Sequence, residues 1–253
     1  MREEISCALN GVDFAGLDPR LYIQDVEERV KTRVDTADRR GGARLCGCPE
    51  RLSLSVTLRF MVKERDRAAR QSVVSRVNGW AKAGWLTLST RPGLRLYAHC
   101  TQPADSETLR WSRDMQVTFT AFDAPWWQER FPVTAALRGA EASAALRPAG
   151  TRSCALEADI LNESGGTVNR ISLAVNGQSM TFEGVALAAG RRMTVGRDER
   201  GLLYARVDGE GRLDRRTADS DDGLTLYPAR NNTVGFSADG VCAVTLSARG
   251  VYD

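Results

Sequence analysis

The side chains best suited to nucleophilic or soft-metal chemistry are scarce in this chain: six cysteines and a single histidine among 253 residues. Cys46 and Cys48 are close-spaced, and His99 beside Cys100 is the one second pair on which a zinc site could draw. Structural zinc is held by four ligands, usually in two pairs. His99 instead alternates with apolar neighbours, as an outward side chain on a strand does. Other motifs fail at defined positions. Gly209-Glu210-Gly211 opens like a dinucleotide fingerprint, but Asp214 stands where the third glycine belongs, and no strand–helix–strand unit surrounds it. Asp219-Ser220-Asp221-Asp222-Gly223 opens like a calcium loop, yet the sixth position is Leu224 and the twelfth is Arg230. Nucleophile elbow, phosphate loop and paired-histidine helix are all missing. A carboxylate pair of the glycosidase kind is defined by separation in space, which spacing in sequence does not give. The sequence predicts no enzyme, no metal site and no cofactor, and reads the scattered cysteines, Cys46 and Cys48 included, as free thiols.

Charge excludes more. The chain carries 35 basic and 32 acidic residues, a net of +3. Residues 1–132 hold 21 basic and 17 acidic side chains, and residues 133–253 hold 14 and 15. Neither half has the clustered excess that phosphate backbones require, so nucleic-acid binding by sequence is not expected. All the basic residues except Lys31, Lys63 and Lys82 are arginine, a bias that a GC-rich genome explains and that paired contacts at subunit boundaries would also use. No apolar run approaches a membrane span, and the acidic start MREEISCALNG is unlike a signal peptide. The expectation is a soluble, non-exported globular protein.

The first part of the chain reads as strands with one helix. Asn10-Gly11 predicts a tight hairpin joining Ile5–Leu9 to Val12–Phe14. Leu21–Val30 is a further strand. Residues 35–49 are polar, hold Arg39-Arg40-Gly41-Gly42-Ala43, and read as a long loop, the candidate contact arm. Leu52, Leu54, Val56, Leu58, Phe60 and Val62 then alternate with mostly polar residues, giving a strand with one buried face. Ala69, Val73, Val77 and Trp80 recur at helical spacing from Asp66 to Ala83, with Gly84 placed to end the helix. Trp85–Thr90, Leu94–Cys100 and Trp111–Phe122 complete a sheet with a flanking helix.

Residues 133–152 show weak periodicity and read as a connection, dividing a domain at 1–132 from one at 133–253. The remainder alternates over eight short runs: Ala155–Leu161, Val168–Val175, Gln178–Phe182, Arg191–Val195, Leu202–Val207, Gly223–Tyr227, Thr233–Phe236 and Val241–Arg249. Turn clusters such as Asn176-Gly177 and Asp208-Gly209 separate them, the pattern of a β-sandwich or jelly roll. The fold class is therefore mostly β: an N-terminal sheet domain with one flanking helix, and a C-terminal sandwich.

The strand LSLSVTLRFMV, the helix ERDRAARQSVVSRVNGWAKAG, the strands in WLTLSTRPGLRLYA and the closing VTFTAFDAPWWQ resemble the N-terminal half of siphophage distal tail proteins, the Dit family. SDDGLTLYPARNNTVGFSADGVCAVTLSARGVYD is similar to the end of that family's galectin-like C-terminal domain. The chain departs at Ala229-Arg230-Asn231, where relatives often carry Gly beside Asn. The resemblance implies a structural protein of the virion tail tip, made in the host cytoplasm. Its N-terminal domain would build a homo-oligomeric, hexameric ring joining the tail tube to the tip, with tail tube and tail-tip or tail-fibre proteins as partners. Its C-terminal sandwich would project outward, with a host-surface glycan as a further partner. The alternatives are a tail-tube or other baseplate subunit, or a carbohydrate-binding β-sandwich protein.

Overall fold

A computed structural model describes residues 5–39, 42–105 and 114–253, with the backbone alone along 35–39 and 42–49. The chain divides into two compact units, Met1–Trp127 and Gln128–Asp253.

The first unit contains β1 (Cys7–Leu9), β2 (Val12–Asp13), β3 (Leu21–Arg39), β4 (Gly42–Val62), α1 (Arg67–Trp80), β5 (Gly84–Leu88), β6 (Leu94–Gln102) and β7 (Asp114–Ala121). The strands lie in the order β2-β1-β5-β6-β7-β4-β3. Asn10 and Gly11 both take positive φ, 51° and 80°, which fits the left-handed two-residue turn expected between β1 and β2. β4 buries Leu54, Val56, Leu58, Phe60 and Val62 completely. A one-residue slip would carry that row to water, so pairing with β7 is fixed in register, from Leu54 opposite Ala121 to Met61 opposite Asp114.

The helix lies on this row. Val73, Val74 and Val77 are buried, and Trp80 meets both Phe14 and Phe119 edge-to-face at 5.4 and 5.6 Å. Asp66 caps α1 by accepting from the Ala69 amide at 2.7 Å. Its end is earlier than Gly84 suggested: the helix stops at Trp80, and Gly84 opens β5, where a side chain would strike Asn10. Asp18, 2% exposed, accepts from Arg20 at 2.8 and 2.9 Å and from Arg76 of α1 at 3.0 Å. Those hydrogen bonds, with burial opposing them, hold its carboxyl at about 2 and tie the helix to the start of β3.

β8 (Trp127–Glu129) spans the boundary between the units. The second unit holds β9 (Val133–Leu146), β10 (Cys154–Ala155), β11 (Glu157–Asn162), β12 (Val168–Val175), β13 (Gln178–Leu187), β14 (Arg192–Arg197), β15 (Leu203–Val207), β16 (Glu210–Gly211), β17 (Thr225–Leu226), β18 (Asn232–Ala248) and β19 (Val251–Tyr252). Two expectations are corrected here. Residues 133–146 are a strand paired along β18, not a connection. Six of its fourteen residues are Ala, on both faces, so burial of one face left little hydrophobic contrast to read. Thr233–Phe236 and Val241–Arg249 are parts of one strand, β18, interrupted by an irregularity between Ser237 and Cys242.

That irregularity organises the unit. The first half of β18 pairs with β12, and the second half pairs with β11. β9 follows it through both halves and passes the same point at Gly139, whose φ of 141° excludes most other residues. Two limbs result, β13-β12-β18 and β18-β11-β14-β15-β16. Leu173 and Met180 of the first line a small apolar cavity together with Ala158 and Val195 of the second, so the limbs face one another as a sandwich. Asn232, fully buried, donates to the carbonyls of Leu146, Tyr227 and Arg230 and accepts from Asn176 and the Tyr227 amide.

Candidate subunit interface

The expected loop at 35–49 is instead the far part of a hairpin. β3 and β4 pair antiparallel from Leu21 opposite Val62 to Arg39 opposite Gly42. Of the five residues marked as a contact, Arg39 and Gly42 form the last pair and Ala43 stands opposite Asp38, while Arg40 and Gly41 lie outside the described residues. Strand signals fade here for a physical reason. Period-two contrast arises where one face is buried and the other wet, and among the described residues no third strand pairs with this segment.

Support for β4 from β7 ends at Leu54 opposite Ala121. From Ser53 to Gly42 it pairs with β3 alone, and β3 is the edge of the sheet. At about 3.4 Å per residue those twelve residues extend the hairpin by roughly 40 Å. A compact unit of 127 residues has a radius of gyration of only about 14 Å. The extension is an arm longer than the radius of the unit that carries it.

Its base is anchored from the core-facing side. Glu28 stands opposite Val56 and receives both Nε and a terminal nitrogen of Arg91 at 3.0 Å. The same carboxylate accepts the Nε1 proton of fully buried Trp127 at 3.0 Å. Glu28 thereby raises the pKa of Arg91, and the guanidinium keeps a bidentate, oriented contact. On the opposite side Glu27 accepts from Arg29 at 2.7 Å and Arg59 at 3.1 Å, and those bonds draw its carboxyl below the ordinary range.

Beyond the anchor, apolar side chains leave the core. Val30, opposite Leu54, is 51% exposed, Val34 is 48% exposed and Leu52 is 38% exposed. Three exposed aliphatic side chains therefore gather where the hairpin leaves its own sheet. Sequence reasoning marked Arg39 to Ala43 and did not single out these three side chains. Its signal was the return of Val at 26, 30 and 34, among charged neighbours. The outer face of the adjoining sheet is different in character: Ser55 meets Thr120 at 3.1 Å, Thr57 meets Thr118 at 3.0 Å, and Thr101 meets Thr120 at 2.8 Å.

The remaining sequence candidates do not converge on a site. His99 lies on β6 between Tyr97 and Phe122, edge-to-face with the first. Among the described residues no three His, Cys, Asp or Glu side chains come together as a metal site, and no helix is long and apolar enough to cross a membrane. The side chains of Cys46 and Cys48 lie outside the described residues. Gly209 is part of the turn between β15 and β16, with Asp208 and Gly209 both at positive φ. In the second unit Tyr227 is 39% exposed, with the Arg230 guanidinium 4.0 Å from its ring centre.

No family model matches the chain, and no curated protein matches it. Solved structures do. The crystal structure of the Dit protein of phage SPP1, described as a paradigm of the hub adsorption apparatus of phages infecting Gram-positive bacteria, matches with a TM-score of 0.69 at 11% identity, covering 97% of this chain and 98% of that one. A chain of the phage p2 baseplate in its activated conformation matches with a TM-score of 0.56 at 5% identity, covering 97% of both. At such identities the likeness is one of fold, and along nearly its whole length this chain has the fold of a phage distal tail (Dit) protein.

Proposed function

We propose that the chain is a structural subunit of a phage tail tip, six copies of which close into a ring joining the tail tube to the adsorption apparatus. The observation carrying this reading is the whole-length likeness in fold to a phage hub protein. The β3–β4 arm supports it independently. A cyclic ring needs a heterologous contact, in which one patch of each subunit meets a different patch of the next. An arm extending roughly 40 Å beyond its own sheet, with Val30, Val34 and Leu52 exposed at its base and Arg39 paired with Gly42 at the far end of the described pairing, supplies one half of such a contact. The first unit is assigned the ring and the second the outward role, as structural components without an enzymatic task. The partners are the tail tube protein and the tail-tip or tail-fibre proteins, and the place of action is the virion tail.

Deleting Arg39–Ala43 tests the arm. The variant is expected to keep its β-rich circular dichroism while losing ring mass in sedimentation. A variant that still sediments as the intact ring removes the arm from the interface. Likeness to the p2 baseplate chain favours a second reading, another baseplate or tail-tube subunit. Stacking of the purified chain into long tubes would select the tube subunit over the hub.

A further inference from the structure

We propose that the outer edge of β9 in the second unit is a pairing surface for β9 of a second copy. A sandwich of two limbs has edges that would recruit other strands, and β9 is the longest of them left uncovered. β13 is covered: the Thr217 and Asp221 amides donate to the carbonyls of Thr181 and Ser179, while the Thr181 and Ser179 amides find Ser220 and Asp221 side chains. β16 at the opposite end has two residues. β9 has fourteen, pairs with β18 alone and runs along both limbs. Its inward side chains show the open margin. Ala135, Ala142 and Ala144 are only half-buried, whereas Leu246, Phe236 and Val234 opposite them on β18 are buried. Lysine and proline are absent between Val133 and Leu146, and the guards this edge carries are exposed Arg138 and Glu141 beside the irregularity at Gly139.

Self-complementarity identifies the occupant. If β9 meets its own copy antiparallel about a two-fold axis between Gly139 and Ala140, the full fourteen residues overlap. Val133 then faces Leu146 of the second copy, Leu137 faces Ala142, and Arg138 faces Glu141. Arg138 and Glu141 are both exposed, so the two charged pairs lie together on the outer side, and opposite charges directly across strands are favourable. Arg138 donates Nε to Glu163 of its own chain at 2.7 Å, which leaves the terminal nitrogens for the second copy. Glu141 has no ion-pair partner among the described residues. The irregularity at Gly139 lies at the axis, so the two strands carry it side by side. The contact is two-fold and confined to the second unit, and so differs from the cyclic contact of the arm.

Cross-linking the full-length chain tests the register. Ala136 of one copy and Ser143 of the other are direct partners in this pairing, both on the outer side. A chain carrying A136C and S143C together is expected to form a covalent dimer on mild oxidation, above the wild-type background. Either substitution alone should not, because identical positions lie seven residues out of register. Adding E141R, which sets Arg against Arg138, should reduce cross-linking and two-fold association by roughly tenfold. The arm deletion should leave the cross-link unchanged, so failure of the ring and failure of this contact are distinguishable. Absence of the dimer, equal cross-linking by single-cysteine chains, or indifference to E141R each overturns the proposal.

Discussion

Replacing Asp18 by Asn should destabilise the first unit by an amount that disappears in acid. The wild-type carboxyl is held at about 2 against an ordinary 3.8, foremost by the Arg20 hydrogen bonds, with Arg76 adding its charge. A difference of nearly two pKa units corresponds to about 2.5 kcal/mol at neutral pH. Arg20 and Arg76 remain 32% and 56% exposed, so water screens part of the attraction, and about 1–2 kcal/mol is the expected loss. Because the folded value is the depressed one, the contribution is complete above about pH 4 and lost as pH falls through 2. All five tryptophans lie in the first unit, so tryptophan fluorescence during urea unfolding follows that unit alone. For a slope of about 2 kcal/mol per molar urea, the midpoint should fall by roughly 0.5–1 M at pH 7, and the variant and wild type should converge near pH 2. An equal difference at both pH values, or none at pH 7, would refute the ion-pair account of how α1 is held.

Glu28→Ala should cost about 2–3 kcal/mol, seen in the same fluorescence transition, because it strands the buried Trp127 proton and the Arg91 fork together. Asn232→Ala should lower the stability of the second unit by about 2–3 kcal/mol, measured by loss of its hydrogen-exchange protection, since three carbonyls and two donors lose their partner. Cys7, Cys154 and Cys242 should label slowly at pH 8 in the folded chain and readily in urea, mapped by peptide mass. Burial raises all three thiols, Cys154 to about 11, so little thiolate is available.

What could be read from sequence tracks where one face is buried against water. β4 from Leu54 onward, α1 through Val73, Val77 and Trp80, and β12 from Val168 to Val175 announce themselves because their partners enforce a period, whereas Leu52, expected in the same buried row, lies beyond β7 and is exposed. The Asn10-Gly11 turn was legible for a local reason, the positive φ that both residues tolerate. The arm and β9 were illegible for two different reasons. Among the described residues the arm has no third strand to sort its side chains, so it looked like a loop. β9 is an edge of small residues, where alternation between Ala and Ser or Thr carries almost no hydrophobic contrast. The interface fared likewise. Arg39 to Ala43 were marked, but Val30, Val34 and Leu52 gain meaning only once β7 is seen to stop at Ala121.

The most direct test of the tail-tip account is a native mass spectrum of the purified full chain over a range of concentrations. The account expects a dominant species near 166 kDa, six times the 27.7 kDa subunit, and its loss on deletion of Arg39–Ala43. A chain that remains monomeric at every concentration, or assembles in numbers that are not multiples of six, would contradict it.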